Sequence, residues 1–295
     1  MKKLLAVIGI IFLGSCGNNM VENPPKGNDQ DGPQQDVIVM SDEIINDIIQ
    51  SIPSPLEITM LIKEGSVYDK SFLNPSDYVS RYTTNFKKAL NLGVYGTDLG
   101  YANIYGQTQD AISYLNSVQK LADGLSIGQF FDYHTLKKLA ESENNLDSLI
   151  LNTTQNFEKI NFHLREQKRE SLSILLLTGG WVEATYLTTV VYNKTPEASL
   201  REKIGEQKIV LGQLLLVLDV YRSKPDFPEL ISLLRELQKV YDEIEISVQY
   251  VEPVMVERDG ELVFVDKSSS SIGITDEHIV KITKLIKEIR EKIIG

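Results

Sequence analysis

Two stretches bring together residue types able to do chemistry. In LGVYGTDLGYANIYGQTQ, residues 92–109, the side chains of Asp98, Tyr101 and Tyr105 recur at spacings of three and four, so on a helix they stand above one another. In GGWVEATY, residues 179–186, Trp181 is the only tryptophan of the chain. Glu183 is the one formal charge in the otherwise uncharged run 172–192. Both stretches are marked by glycines, which weaken a helix interior by about 1 kcal/mol each relative to alanine, so something must compensate. We expect the two helices to cross there. Asp98, Tyr101, Tyr105, Trp181 and Glu183 then either line a small cleft with Asp98 at its mouth, or pack closely with tyrosine hydroxyls satisfying Glu183. The closed arrangement is the expected one, because a buried carboxylate without partners is costly.

No reactive constellation assembles from the remaining residues. The three histidines, His134, His163 and His278, are far apart, and none stands in an HxxxH or HExxH spacing. A metal site would need all three to converge, or a carboxylate cluster, and neither is signalled. There is no GxSxG elbow and no GxxxxGK[ST] loop, and GVYGTDLG follows a helix rather than a strand. The pairs Asp42-Glu43 and Asp276-Glu277 fall at expected helix starts, where the macrodipole accounts for them. His278 is the third residue of the last helix, with a surface role expected. No catalytic residue, metal ligand or cofactor is assigned.

The elements that must position these side chains are almost all helical. Helix starts are marked by SPLE at 54–57, NPSD at 74–77, TPEA from Thr195, DFPE from Asp226 and TDEH from Thr275. The expected helices run near 41–51, 54–64, 75–92, 97–123, 127–140, 143–165, 167–193, 196–223, 227–248 and 275–294. Lys87 and Lys88 followed by Gly93 read as a helix end, with Thr97 capping the next helix. The last helix carries the stripe Ile279, Ile282, Leu285, Ile286 and Ile289. Short connections favour antiparallel neighbours. The run 172–192 is long enough to cross a bilayer. Glu183, the threonines and an equally apolar neighbour at 209–221 assign it instead to the middle of a bundle. One segment departs from helix. At 253–267, apolar residues alternate on either side of Asp259-Gly260, which predicts a β-hairpin with Val254, Val256, Val263 and Val265 on one face. Residues 266–273 are read as a flexible return.

The start MKKLLAVIGIIFLGSC joins two lysines to an apolar run too short for a span and ends on Leu13-Gly14-Ser15-Cys16. These residues resemble the lipobox of bacterial lipoproteins. The resemblance implies that residues 1–15 are a signal peptide and that Cys16, the only cysteine, carries lipid as the mature N-terminus. Gly17, where inner-membrane lipoproteins of enterobacteria usually carry aspartate, implies the outer membrane. Residues 17–36 hold almost nothing to bury, and residues 16–40 read as the lipidated cysteine and a disordered tether. Residues 41–295 read as a single helical domain with the hairpin.

Loss of Lys2 and Lys3 with the signal would take the formal charge from −11 to −13. Such a chain repels phosphate backbones, so nucleic acid is excluded as a partner. The fold class is therefore all-α, an antiparallel multi-helix bundle with one C-terminal hairpin. The expected role is that of a lipid-anchored, periplasm-facing envelope protein that binds or scaffolds a partner protein without catalysis. The alternatives are a small-ligand binder using the aromatic cleft and, third, an enzyme acting on envelope glycans through paired carboxylates.

Overall fold

Nine α-helices lie among the residues described by the computed structural model, which are 40–53, 62, 66–141, 146–249, 254–258, 261–265 and 269–295. They are α1 (Asp42–Ser51), α2 (Asn85–Ile104), α3 (Thr108–Gly124), α4 (Tyr133–Glu141) and α5 (Leu146–Glu166), then α6 (Ser171–Lys194), α7 (Ala198–Val220), α8 (Phe227–Asp242) and α9 (Asp276–Ile294). Cys16, the 16–40 tether up to residue 39, the SPLE cap and the Asp259-Gly260 turn lie outside the described residues.

The fold is an all-α bundle. α6 is its centre and packs against α2, α9, α7 and α5, while α3 lies on α2, α8 bridges α7 and α9, and α1 rests on α7. α6 is the one helix among the described residues with the length and apolarity of a membrane span, yet 83% of that window is buried by the other helices. Its apolar residues have no single stripe because neighbours cover it on all sides.

Sequence caps set several ends. Ser41 accepts from the Ile44 N–H at 3.3 Å and starts α1. Thr275 and His278 form a reciprocal capping box at the start of α9, so His278 works on its own helix end rather than as a free surface residue. NPSD gives only a 3₁₀ turn over Ser76–Arg81; α2 begins later, where Thr84 accepts from the Lys87 N–H at 3.1 Å.

The largest correction concerns residues 92–97. No helix ends there: α2 runs unbroken from Asn85 to Ile104, and the break falls at Gly106, whose φ of 66° is left-handed. Lys87 and Lys88 lie in the first turns of α2. Lys88 reaches across to the Gly124 carbonyl at the end of α3, 3.2 Å away. Thr97 caps nothing; mid-helix, its hydroxyl donates to the carbonyls of Gly93 at 3.1 Å and Gly180 at 3.2 Å.

The hairpin is longer than predicted. β2 (Val254–Arg258) and β3 (Glu261–Val265) pair antiparallel, Val254 opposite Val265 and Val256 opposite Val263, which puts the four valines on one face. Below them β1 (Ile246–Gln249) pairs with β4 (Ser269–Ile272). The chain after Asp242 thus leaves the helix expected up to 248, and the serines read as a flexible return form a strand. Gly205 on α7 seats the base of this ribbon, since a Cβ there would press on Ile272.

Candidate functional site

The two glycine-marked helices do meet. A Cβ on Gly93 would overlap the Leu176 carbonyl and the Gly180 nitrogen, and one on Gly179 would overlap the Leu90 carbonyl. The glycines therefore bring backbone against backbone. This approach delivers Asp98 of α2 and Glu183 of α6 to the same place, both with no exposed surface.

A third residue completes the cluster. Arg290 of α9 holds Glu183 with two bonds, Nε to Oε2 at 2.6 Å and Nη2 to Oε1 at 2.7 Å, and Nη2 also donates to the Phe72 carbonyl at 3.0 Å. Its guanidinium carbon sits 4.3 Å from the centre of the Tyr186 ring. This bidentate geometry is the strong form of the charge pair. It corrects the expectation that tyrosine hydroxyls would satisfy Glu183. Burial disfavours the guanidinium charge, but Glu183 and Asp98 outweigh it and raise the Arg290 pKa.

Asp98 is the odd member. Burial first, and the Glu183 charge second, push its carboxyl well above the usual carboxylate range, so it holds a proton. Its Oδ2 accepts the Asn74 N–H at 3.2 Å, while Oδ1 has no other partner. A proton on Asp98 gives it a donor to turn toward Glu183, and two acids and one guanidinium then carry no net charge.

The other predicted members part company. Tyr101 is fully buried, and its ring packs 4.9 Å from Tyr105 and 5.5 Å from Tyr68. The Tyr105 hydroxyl donates to the Ile62 carbonyl at 3.2 Å and shares a short hydrogen bond with Ser66. Trp181 points to α7 instead, where its Nε1 donates to Gln207 Oε1 at 2.9 Å. Asp98, expected at the mouth of a cleft, is sealed in.

The seal is the irregular chain 66–82. Its backbone groups are taken up by helix side chains: Asp98 at Asn74, Arg290 at Phe72, the Tyr95 hydroxyl at Pro75 (2.8 Å) and the Ser117 hydroxyl at Ser76 (2.9 Å). Lys194 pairs with Asp69 at 2.6 Å and Lys70 pairs with Asp110, tying down the outer edge. The aromatic cluster is a closed, satisfied core.

An open cleft of about 460 Å³ lies elsewhere, between α1 and the end of α5. Its floor is Ile45 and Ile49, both buried, and Phe162 stands at its wall with 63% of its surface exposed. Asn46, Asn161 and Arg165 line it, with Asp42, Glu166, Lys168 and Glu170 around them. Asn161 Nδ2 donates to Asn46 Oδ1 at 2.8 Å, and Asn161 Oδ1 is buried without a partner. Sequence reasoning missed this site. Its signal was the α1 stripe Asp42, Ile45, Asn46 and Ile49 at helical spacing, which carries polar residues inside an apolar face.

The chain matches no protein-family model, no curated protein and no solved structure. Its site is therefore read from its own residues. Among the described residues, no three His, Cys, Asp or Glu side chains converge as metal ligands would. His134 is exposed, and the His163 ring lies 4.8 Å from that of Phe130. Phe162 on α5 lines the cleft and faces solvent, and large apolar side chains are also exposed at Ile44 on α1 and Leu216 on α7, the helix that α1 rests on.

Proposed function

We propose that this is a lipid-anchored protein of the bacterial envelope, held at the outer membrane through Cys16 and facing the periplasm, which binds a partner protein rather than catalysing a reaction. The observation that carries the reading is the position of the exposed apolar side chains. Phe162 lines a cleft whose one wall is α1, the first helix after the expected tether, and Ile44 is exposed on that helix. Apolar groups left in water around a concave site are the usual mark of an interaction surface. The paired carboxylates Asp98 and Glu183 lend no support to glycan chemistry, since both are wholly buried and bonded to protein. The same burial argues against a ligand held among Tyr101, Trp181 and Glu183.

Two experiments test the reading. A photo-crosslinker placed at Phe162 of the full lipidated chain should give one discrete adduct in intact envelopes. The same group at Val280, similarly exposed on α9 but not lining the cleft, should give none. Equal adducts at both positions would sink the reading. For the anchor, a fatty-acid analogue should label the wild-type chain and not Cys16→Ala; label retained in the variant removes the lipid from the account.

A further inference from the structure

We infer that the cleft between α1 and α5 recognises the unblocked carboxy-terminal end of an apolar peptide segment. The inference rests on the partner-binding reading above and names the chemistry that the partner must present. Three observations carry it.

The first is a buried amide short of a bond. Asn161 is 3% exposed, lines the cleft, and forms one bond to Asn46, which leaves Oδ1 unpartnered. Turning both amides over would exchange donor and acceptor but still leave one polar atom of Asn161 unsatisfied. Buried polar groups find partners, and this one belongs to a side chain that lines the cleft. A peptide unit offers both an N–H and a C=O and satisfies either orientation.

The second is a pair of free cations. Among the described residues, neither Arg165 nor Lys168 has an ion-pair partner, although Asp42, Glu166 and Glu170 line the same cleft. A helix C-terminus draws basic residues through its dipole, and that accounts for some positive charge here. It does not account for Lys168 itself. After α5, the Arg169 N–H bonds the Leu164 carbonyl at 2.7 Å and the Lys168 N–H bonds the Arg165 carbonyl at 2.9 Å, the arrangement that puts a left-handed residue at the helix end. That residue is Lys168, with φ 55°. Glycine suits this conformation and a side chain opposes it, yet the position holds a lysine, which lines the cleft together with Arg165. A carboxylate fits a guanidinium in two-bonded geometry with an ammonium alongside.

The third is the apolar floor. Ile45 and Ile49 with Phe162 offer a surface for one or two aliphatic side chains, and a cleft of about 460 Å³ lies within the range of small binding sites. The cleft thus offers the cations Arg165 and Lys168, the amide of Asn161 and the apolar floor of the isoleucines, one for each part of an apolar chain end: carboxylate, peptide unit and side chain. Asp42, Glu166 and Glu170 repel a ligand carboxylate placed elsewhere, which fixes its direction.

The test is calorimetric titration of the full lipidated chain in detergent with the tripeptide Ala-Leu-Leu as free acid and as amide. The acid should bind one to one. The amide, Arg165→Gln and Phe162→Ala should each weaken binding at least tenfold. Lys168→Gly should weaken it several-fold while unfolding no more easily than wild type, which separates lost recognition from lost folding. Equal affinity of acid and amide, full affinity in Arg165→Gln, or no binding of the acid overturns the inference. A discrete crosslink at Phe162 would still stand for partner binding. Binding of the acid with no crosslink has the opposite meaning: it keeps the inference and removes the protein partner. The same three residues at the end of a carrier protein should retain the affinity, and its loss there overturns the assignment to a protein tail.

Discussion

The Asp98–Glu183–Arg290 cluster and the α1/α5 cleft both place charges beside apolar side chains, and they handle the charges in opposite ways. In the cluster every charge is out of water. Arg290 takes both oxygens of Glu183, Asp98 keeps its proton, and residues 66–82 lie across the top with their backbone groups bonded to helix side chains. In the cleft the charges stay wet, two cations have no ion pair among the described residues, and an amide is short of a bond. Chemistry-bearing residue types are thus the weaker guide to function here. The region richer in aromatics is architecture, and the plainer region keeps its charges in water.

The comparison breaks first, and with the largest effect, at the buried ion pair. Glu183→Leu leaves Arg290 buried beside no carboxylate except a protonated Asp98 and should cost about 3–5 kcal/mol. Glu183→Leu with Arg290→Met should recover most of that loss in urea denaturation, because an apolar pair of similar volume replaces both charges. Strict additivity of the two changes would show that they are not one unit.

Next come the glycines. Gly93→Ala forces a methyl group into the Leu176 carbonyl, and overpacking of this kind costs about 1–3 kcal/mol or more. Gly96→Ala, one turn on, has nothing within 4 Å of the new methyl and should stabilise α2 by about 0.5–1 kcal/mol. Opposite signs in thermal denaturation are expected, and equal signs would remove the close approach as the reason for Gly93.

The Asp98 proton gives a pH dependence. Between its ordinary value near 3.8 and its raised folded value, the folded chain holds a proton that the unfolded chain has released. Stability must therefore fall as pH rises through that window, by about 1.4 kcal/mol for each unit of displacement. Asp98→Asn keeps the acceptor for Asn74 and a donor toward Glu183, so it should flatten this slope and be the more stable chain at pH 7. An unchanged slope in Asp98→Asn would mean that the proton resides elsewhere.

The cleft should respond least. Arg165→Gln and Phe162→Ala should change stability by no more than about 0.5 kcal/mol in either direction, as surface changes do. A loss as large as that of Glu183→Leu would make the cleft part of the core and erase the contrast.

Much of the fold was legible in the sequence. The stripe Ile279, Ile282, Ile286 and Ile289 is buried as its spacing requires, and Thr275 caps α9. The failures have physical causes. A glycine after two lysines signals a helix end and also a backbone contact, and only the partner helix distinguishes them. At Gly93 the partner was α6. Arg290 escaped notice because its mate is 107 residues away, although a lone cation at 286 + 4 in an apolar stripe facing a lone anion in an apolar helix was there to be matched. The ribbon was read short because the serines at 269–271 have low intrinsic strand preference and pair only because β1 lies beside them.

Arg290 also bears on the order in which the protein can be built. Glu183 has no cation until the ribosome has added more than a hundred further residues. Any shorter nascent chain would have to bury that carboxylate alone, so α6 cannot settle into the bundle while synthesis proceeds. The cluster therefore closes only once α9 is available.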